Sequence, residues 1–400
     1  MTTSGNFSHI CLNETDYMMH GTPLEYNLQR YVYPAIVLFG ILGNIIDLTV
    51  LLNKGMRSRA NTFLAALAFA DIIFLTLLLP NILANYSLFT FNYYFRYFYF
   101  NTKVHLLTLA NWCSAIAIWC VIAVCGDRLV GIRSPLYARA TWPWWRLPAV
   151  IACIVITTGV LTCYQHFEYF CLIRYFCQET QLYSRCLLVN SDIWFAKRPN
   201  PFSPAFRKFI SICVMIYLFT MIIFPIILLT ALNLMLLCAL RKRQKHLAVG
   251  ADQTERRNNE SQLQKTEQRV TLTVAFIVTM FTLTNGPSAL IQFIRTIYQL
   301  QPQELYDVTM ICSTLVICGK ASNFILFCLG SKHFRVRLFK ITQKKMNKKI
   351  ESLSGSLLTS SLTKAIVSRR QSMPSKKSSA AGAASLSKVR THRTPVLNNL

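Results

Sequence analysis

Seven long apolar runs fix what this chain can become: roughly residues 31–53, 62–84, 104–126, 147–165, 209–239, 270–297 and 308–329. A segment needs about 20 predominantly apolar residues to cross the hydrocarbon of a bilayer, and a helix satisfies its own backbone there. Composition agrees, with 53% hydrophobic residues, only 14% charged and a mean hydropathy of +0.36, well above a soluble enzyme of this size. The expectation is an all-α membrane protein: a seven-transmembrane helix bundle with a short cytoplasmic amphipathic helix after it. An odd number of spans puts the two termini on opposite sides.

Basic residues set the orientation. Of the 42 Lys and Arg, 30 fall in the loops after the first, third and fifth runs and in the tail. Those segments are therefore expected in the cytoplasm, with the N-terminus outside a multi-pass protein of the plasma membrane. The formal charge of +26 is then mostly topology and attraction to anionic membrane lipid, and no nucleic-acid module is visible. Residues 1–30 lack the apolar core of a cleavable signal peptide and read as an extracellular tail, with Asn6 and Asn13 in glycosylation tripeptides. The transmembrane domain covers 31–329, with an outer loop at 166–208 and a charged inner loop at 241–269. In 330–350, Phe334, Leu338 and Ile341 recur at helical spacing among basic residues, the pattern of a helix lying on the inner leaflet. The Ser-, Ala- and Lys-rich stretch 351–400 is expected to be disordered.

Charges inside the spans narrow the reading. Asp71 lies mid-span in LAFAD, and an isolated carboxylate there costs several kcal/mol unless it is neutral, paired or hydrated. Asn44 and Asp47 share one face of the first span, and Lys320 is the basic residue buried at matching depth in the seventh. Lys320 should pair with Asp71, Asp47 or both, either as a knot that fixes helix packing or as a switch. At the inner lip of the third span stand Asp127 and Arg128, followed by Pro135. Pro225 and Pro287 interrupt the fifth and sixth spans, where each removes a backbone bond and permits a hinge.

On the outside face, Cys11, Cys171, Cys177 and Cys186 offer four thiols and three pairings. His105 and Asn111 lie toward the outer half of the third span, and His105 and His166 look too scattered for a zinc site. No nucleophile with a base and no metal-ligand spacing is visible, so neither an enzyme nor a metal or cofactor is expected. A transporter could use Asp47, Asp71 and Lys320 as a pathway, but no inverted repeat accompanies them.

Taken in order, one to a helix, these motifs resemble the rhodopsin-like, or class A, G-protein-coupled receptors over about residues 30–345. The matching residues are Gly43-Asn44, LAFAD with Asp71, Asp127-Arg128 with Pro135, Pro225, Phe281 with Pro287, Asn323 and Phe334. Departures are equally specific. Asp-Arg-Tyr becomes Asp127-Arg128-Leu129, Asn-Pro-x-x-Tyr becomes Asn323-Phe324-Ile325-Leu326-Phe327, and the Cys-Trp-x-Pro of the sixth span reads Thr284-Asn285-Gly286-Pro287. Lys103 stands where the family has the outer cysteine of its third span, so the usual disulfide to the second outer loop cannot form. Lys320 falls beside the family's sodium pocket, where its ammonium would take the place of the ion.

The resemblance implies a receptor that works by population shift. Arg128 would be held at rest by Asp127 and by Glu267 at the foot of the sixth span, and an agonist preferring the open state would release it to a heterotrimeric G protein. Arrestin and receptor kinases are further partners the resemblance implies. Ala110 replaces the aspartate of the amine receptors and Ile317 the retinal lysine of opsins. The phrase NWCSAIAIWCVIAVCGDRLVGIRSPL is similar to invertebrate FMRFamide-receptor-like neuropeptide receptors, which implies an extracellular peptide ligand. Asp307 is the first choice for its cationic group, with Glu304, Arg295 and Asn111 nearby. The alternative is a small-molecule chemosensory receptor of the same fold.

Overall fold

The structure, a computed structural model, describes residues 9–350 apart from 54, 56–57, 134–142, 193, 250–256, 299–304, 332–333 and 348. Seven helices in it are long and apolar enough to cross a membrane. They are α1 (Pro23–Leu51), α2 (Arg59–Leu83), α3 (Tyr93–Arg133), α4 (Arg146–Glu168), α5 (Pro204–Lys242), α6 (Arg257–Ile297) and α7 (Tyr306–Gly330). Leu38, Phe69, Ile156, Phe219, Leu290 and Leu329 turn outward from different helices, as expected of spans that are apolar all round and face lipid. α3 runs through the bundle and packs on α2, α4, α5 and α6, while α1 lies against α2 and α7.

Two helices start or end away from the apolar runs. α1 begins at Pro23, inside the segment expected as a tail, because Thr22 caps it by accepting from the Glu25 N–H at 3.2 Å and Pro23 fits the first helical position. α3 continues to Arg133, so Asp127 and Arg128 sit within a helix and not at its end. The polar residues there end the hydrophobic run, not the helix.

Among the described residues, both π-helical turns precede a proline: Leu28–Val32 before Pro34, and Leu218–Ile223 before Pro225. Proline has no N–H and its ring crowds the carbonyl four residues back, so a widened turn lets the helix pass without a break. Pro287, by contrast, lies inside a continuous α6. Close helix approach falls at Gly40, where a Cβ would come within 2.8 Å of the Ala321 Cβ of α7.

The segment after α4 departs from an all-α chain. Strands β1 (Tyr169–Phe176) and β2 (Gln181–Leu188) form an antiparallel hairpin in which Cys171 and Cys186 are direct partners and disulfide-bonded. A second disulfide joins Cys11 to Cys177 in the turn. This resolves the three pairings the four cysteines allowed. Beyond α7, residues 334–347 are helical (α8). Phe334 is buried and stacks on Phe327 at 5.5 Å, and Arg337 donates from Nε to the Asn53 Oδ1 at 3.1 Å. One compact unit runs to Lys340; residues 341–350 belong to a second.

Candidate functional site

Midway along the bundle, α2 and α7 bring Asp71 and Lys320 into a direct ion pair, Nζ to Oδ1 at 2.8 Å, with both side chains about as buried as the structure allows. Asn323 donates to the other carboxylate oxygen at 2.7 Å, and the Lys320 ammonium lies 4.6 Å from the centre of the Phe74 ring. Asn44 donates to the Lys320 carbonyl at 3.1 Å and to the Gly40 carbonyl at 2.8 Å. Of the partners expected for Lys320, Asp71 takes the bond. Asp47 is fully buried, and neither of its oxygens has a hydrogen-bond partner among the described residues. Asn323, expected with the switch at the inner end, belongs to this polar core.

Near the end away from the hairpin, the Asp127 carboxylate meets Arg59 at the start of α2, Nε to Oδ1 at 3.0 Å. Asp127, expected to hold its neighbour Arg128, pairs instead across the helices with Arg59. The sequence does not single out this pair, because several basic residues lie near the inner ends of the spans. Arg128 is half-buried in α3. The Glu267 side chain, Pro135 and Glu304 lie outside the described residues, as do Asn6 and the stretch 351–400.

At the hairpin end the chain before α1 is strapped down. Leu12 and Gln181 exchange two hydrogen bonds at 2.7 and 3.2 Å, and the Cys177 N–H donates to the Ile10 carbonyl at 2.9 Å. Arg96, one turn into α3 and fully buried, donates to the carbonyls of Tyr17 at 2.7 Å, Thr90 at 2.9 Å and Leu182 at 2.9 Å, with its guanidinium 3.6 Å from the Tyr17 ring centre. One side chain therefore ties α3, the hairpin and the N-terminal segment together, the mechanical task a helix-to-loop disulfide would perform. The signal was a lone arginine in the aromatic stretch YYFRYFYF, which reads as a membrane boundary. Asn13 is exposed, as an acceptor for sugar must be, whereas Asn85 is buried against Gln29 and Asn81.

Asp307, the first choice for a ligand's cation, accepts from the Thr22 hydroxyl at 3.0 Å and so serves the strap. A second polar group lies between α3, α4, α5 and α6. Asn111 donates to the Gln165 Oε1 at 2.9 Å, the Tyr164 and Tyr217 rings meet edge-on at 5.8 Å, and Glu168 feels the opposite charge of Arg295. Burial pushes the Tyr169 hydroxyl up to about 12, with the Glu168 carboxylate adding to the rise and Arg295 opposing it. The hairpin leaves Phe170, Tyr175 and Tyr183 partly exposed, Phe170 and Tyr183 on one face and Tyr175 on the other. His105 and His166, too scattered in the sequence to suggest a zinc site, touch: their Nδ1 atoms are 2.9 Å apart.

Comparison with known proteins agrees with this architecture. Residues 31–354 match the family described as serpentine type 7TM GPCR chemoreceptor Srw. A Caenorhabditis elegans protein named as a G-protein-coupled receptor, F59B2.13, is 37% identical over 88% of this chain and 81% of its own length. The mouse alpha-2B adrenergic receptor is 32% identical over 36% of this chain and 31% of its own. The Drosophila melanogaster sex peptide receptor is 22% identical over 78% of this chain and 72% of its own.

Proposed function

Because the chain belongs to the serpentine seven-transmembrane G-protein-coupled receptors of the Srw family, we propose that it binds a peptide at its hairpin end and passes that signal to a heterotrimeric G protein at the opposite end. The hairpin end is the extracellular one in this reading. Its two disulfides suit an oxidising compartment, and the basic residues Arg59, Arg133, Arg241 and Lys242 lie toward the other end.

The observation that carries the peptide assignment is the hairpin itself. It is anchored by the disulfide to Cys11 and by the bond from Arg96 to the Leu182 carbonyl, it leaves Phe170, Tyr175 and Tyr183 partly exposed, and its first strand follows directly on the turn that carries Glu168. A rigid, two-stranded platform with apolar and charged contacts suits an extended chain with alternating side chains. A small amine lacks its partner in α3, where Ala110 is buried among apolar neighbours. Similarity over most of the chain to a receptor named for a sex peptide points the same way. With Asp307 engaged by Thr22, Glu168 becomes the preferred partner for a cationic group on the ligand and Arg295 for an anionic one.

The intracellular half of the proposal follows from the family and from the charges at the foot of the bundle. Agonist binding shifts a pre-existing equilibrium by its difference in affinity for the two states. The hinge residues Pro225 and Pro287 allow α5 and α6 to move, Arg128 is freed from its acidic partners, and the G protein enters between the helices. α8, with its basic face, lies along the inner leaflet. The test is a screen of amidated peptides against surface-expressed receptor, read by second messenger, with Glu168→Gln and Arg295→Gln beside the wild type. A peptide that activates the wild type and loses about tenfold or more in potency on one of these variants supports the reading. Activation by small molecules alone would replace it with the chemosensory alternative.

A further inference from the structure

His105 and His166 converge from two helices. His105 is exposed on α3, and His166 lies in the last turn of α4, three residues before β1. Their Nδ1 atoms stand 2.9 Å apart, with ring centres at 5.1 Å and planes inclined at 43°. Without a third body, one Nδ1 must carry a proton and the other must accept it.

This spacing is close to what a metal requires. A tetrahedral zinc ion bound at 2.0–2.1 Å to two ring nitrogens separates them by about 3.3 Å, so opening the pair by roughly 0.4 Å would admit the ion. The change needs only side-chain torsion on an exposed rim. The bridging proton moves to Nε2 of its own ring through water, so two neutral imidazoles take up the ion without net release of a proton. Water and the ion's own ligands fill the other two positions, since no third His, Cys, Asp or Glu joins the pair among the described residues.

The site is also reachable. At 1.5 Å per residue, His105 lies roughly 34 Å along α3 from Arg128, which is about the thickness of the hydrocarbon. With Arg128 at one boundary, His105 falls at the other, beside the hairpin and within reach of aqueous ions.

We propose that His105 and His166 form a binding site for a divalent cation of zinc's class, which clamps α3 to the end of α4. Such a clamp bears on the ligand group without touching it. Gln165 and Glu168 share the short turn that carries His166, and Gln165 is the partner of Asn111 from α3. A bound ion holds that turn in one register, so agonist and ion must alter each other's affinity by the same factor.

Thermal unfolding of the purified full chain in nanodiscs, titrated with chelator-buffered zinc, tests the site without any ligand. The melting temperature of the wild type should rise with zinc and saturate. His105→Gln and His166→Gln, which remove one ligand each from a rim that tolerates a polar side chain, should each weaken the zinc dependence at least about tenfold, since even the outer partners of metal ligands are worth about 10–100-fold in affinity. Both variants should melt like the wild type without zinc, which separates metal binding from a structural role. No saturable rise in the wild type would overturn the proposal, as would an unchanged zinc response in either variant.

Discussion

Lys320→Met should destabilise the receptor sharply, and Asp71→Asn in the same chain should restore most of the loss. The pair is 2.8 Å apart and 1–2% exposed, and the second oxygen of Asp71 is already committed to Asn323. Removing one partner of a buried ion pair leaves an uncompensated charge and costs about 3–5 kcal/mol, whereas replacing both with neutral groups of similar volume is often nearly neutral. For a unit of this size that corresponds to a fall in melting temperature of roughly 5–8 °C for the single variant. The assay is a double-mutant cycle of thermal unfolding in detergent, with the two singles and the double measured side by side. The cycle should return a coupling of at least about 2 kcal/mol. Two singles whose effects add in the double would refute the pairing as an energetic unit, and a double as unstable as Lys320→Met would show that the ammonium is needed for more than charge.

Three further outcomes follow from the same geometry. Replacing sodium by a large organic cation at constant ionic strength should leave basal nucleotide exchange on the coupled G protein unchanged, because the Lys320 ammonium already occupies the place beside Asp71; a steep sodium dependence would contradict this. Arg96→Met strips charge-assisted bonds from three buried carbonyls and, at about 1–3 kcal/mol for each group left unpaired, should cost at least about 3 kcal/mol, read as lost surface expression and faster proteolysis of the N-terminal strap. Glu267→Ala should raise basal signalling if that glutamate restrains Arg128, and a variant with wild-type basal activity would remove it from the resting lock.

The spans were legible because hydrocarbon thickness imposes one length on every crossing, and the buried pair because Lys320 is a basic residue far from either end of its helix. Helix ends were less so. The run of α3 stops being apolar near Gly126 while its backbone stays helical to Arg133, since polar residues leave the membrane without leaving the helix. The two π turns carry a local signature in Pro34 and Pro225, but the way a helix absorbs a proline depends on its neighbours. Asp127 with Arg59, Cys11 with Cys177, and His105 with His166 were hidden for another reason. Each joins segments far apart in sequence, 61 residues for the histidines and 166 for the disulfide, and only packing decides which of several candidates meet. Arg96 was overlooked because its partners are backbone carbonyls, which leave no trace in a sequence.

A G-protein activation assay in cells expressing this chain, run against an amidated-peptide library with Arg128→Ala as control, bears most directly on a peptide receptor coupled through the foot of α3. The expected result is a peptide that activates the wild type and fails on Arg128→Ala while both proteins reach the surface equally. Silence of the surface-expressed wild type across the library, or equal activation of the variant, would contradict it.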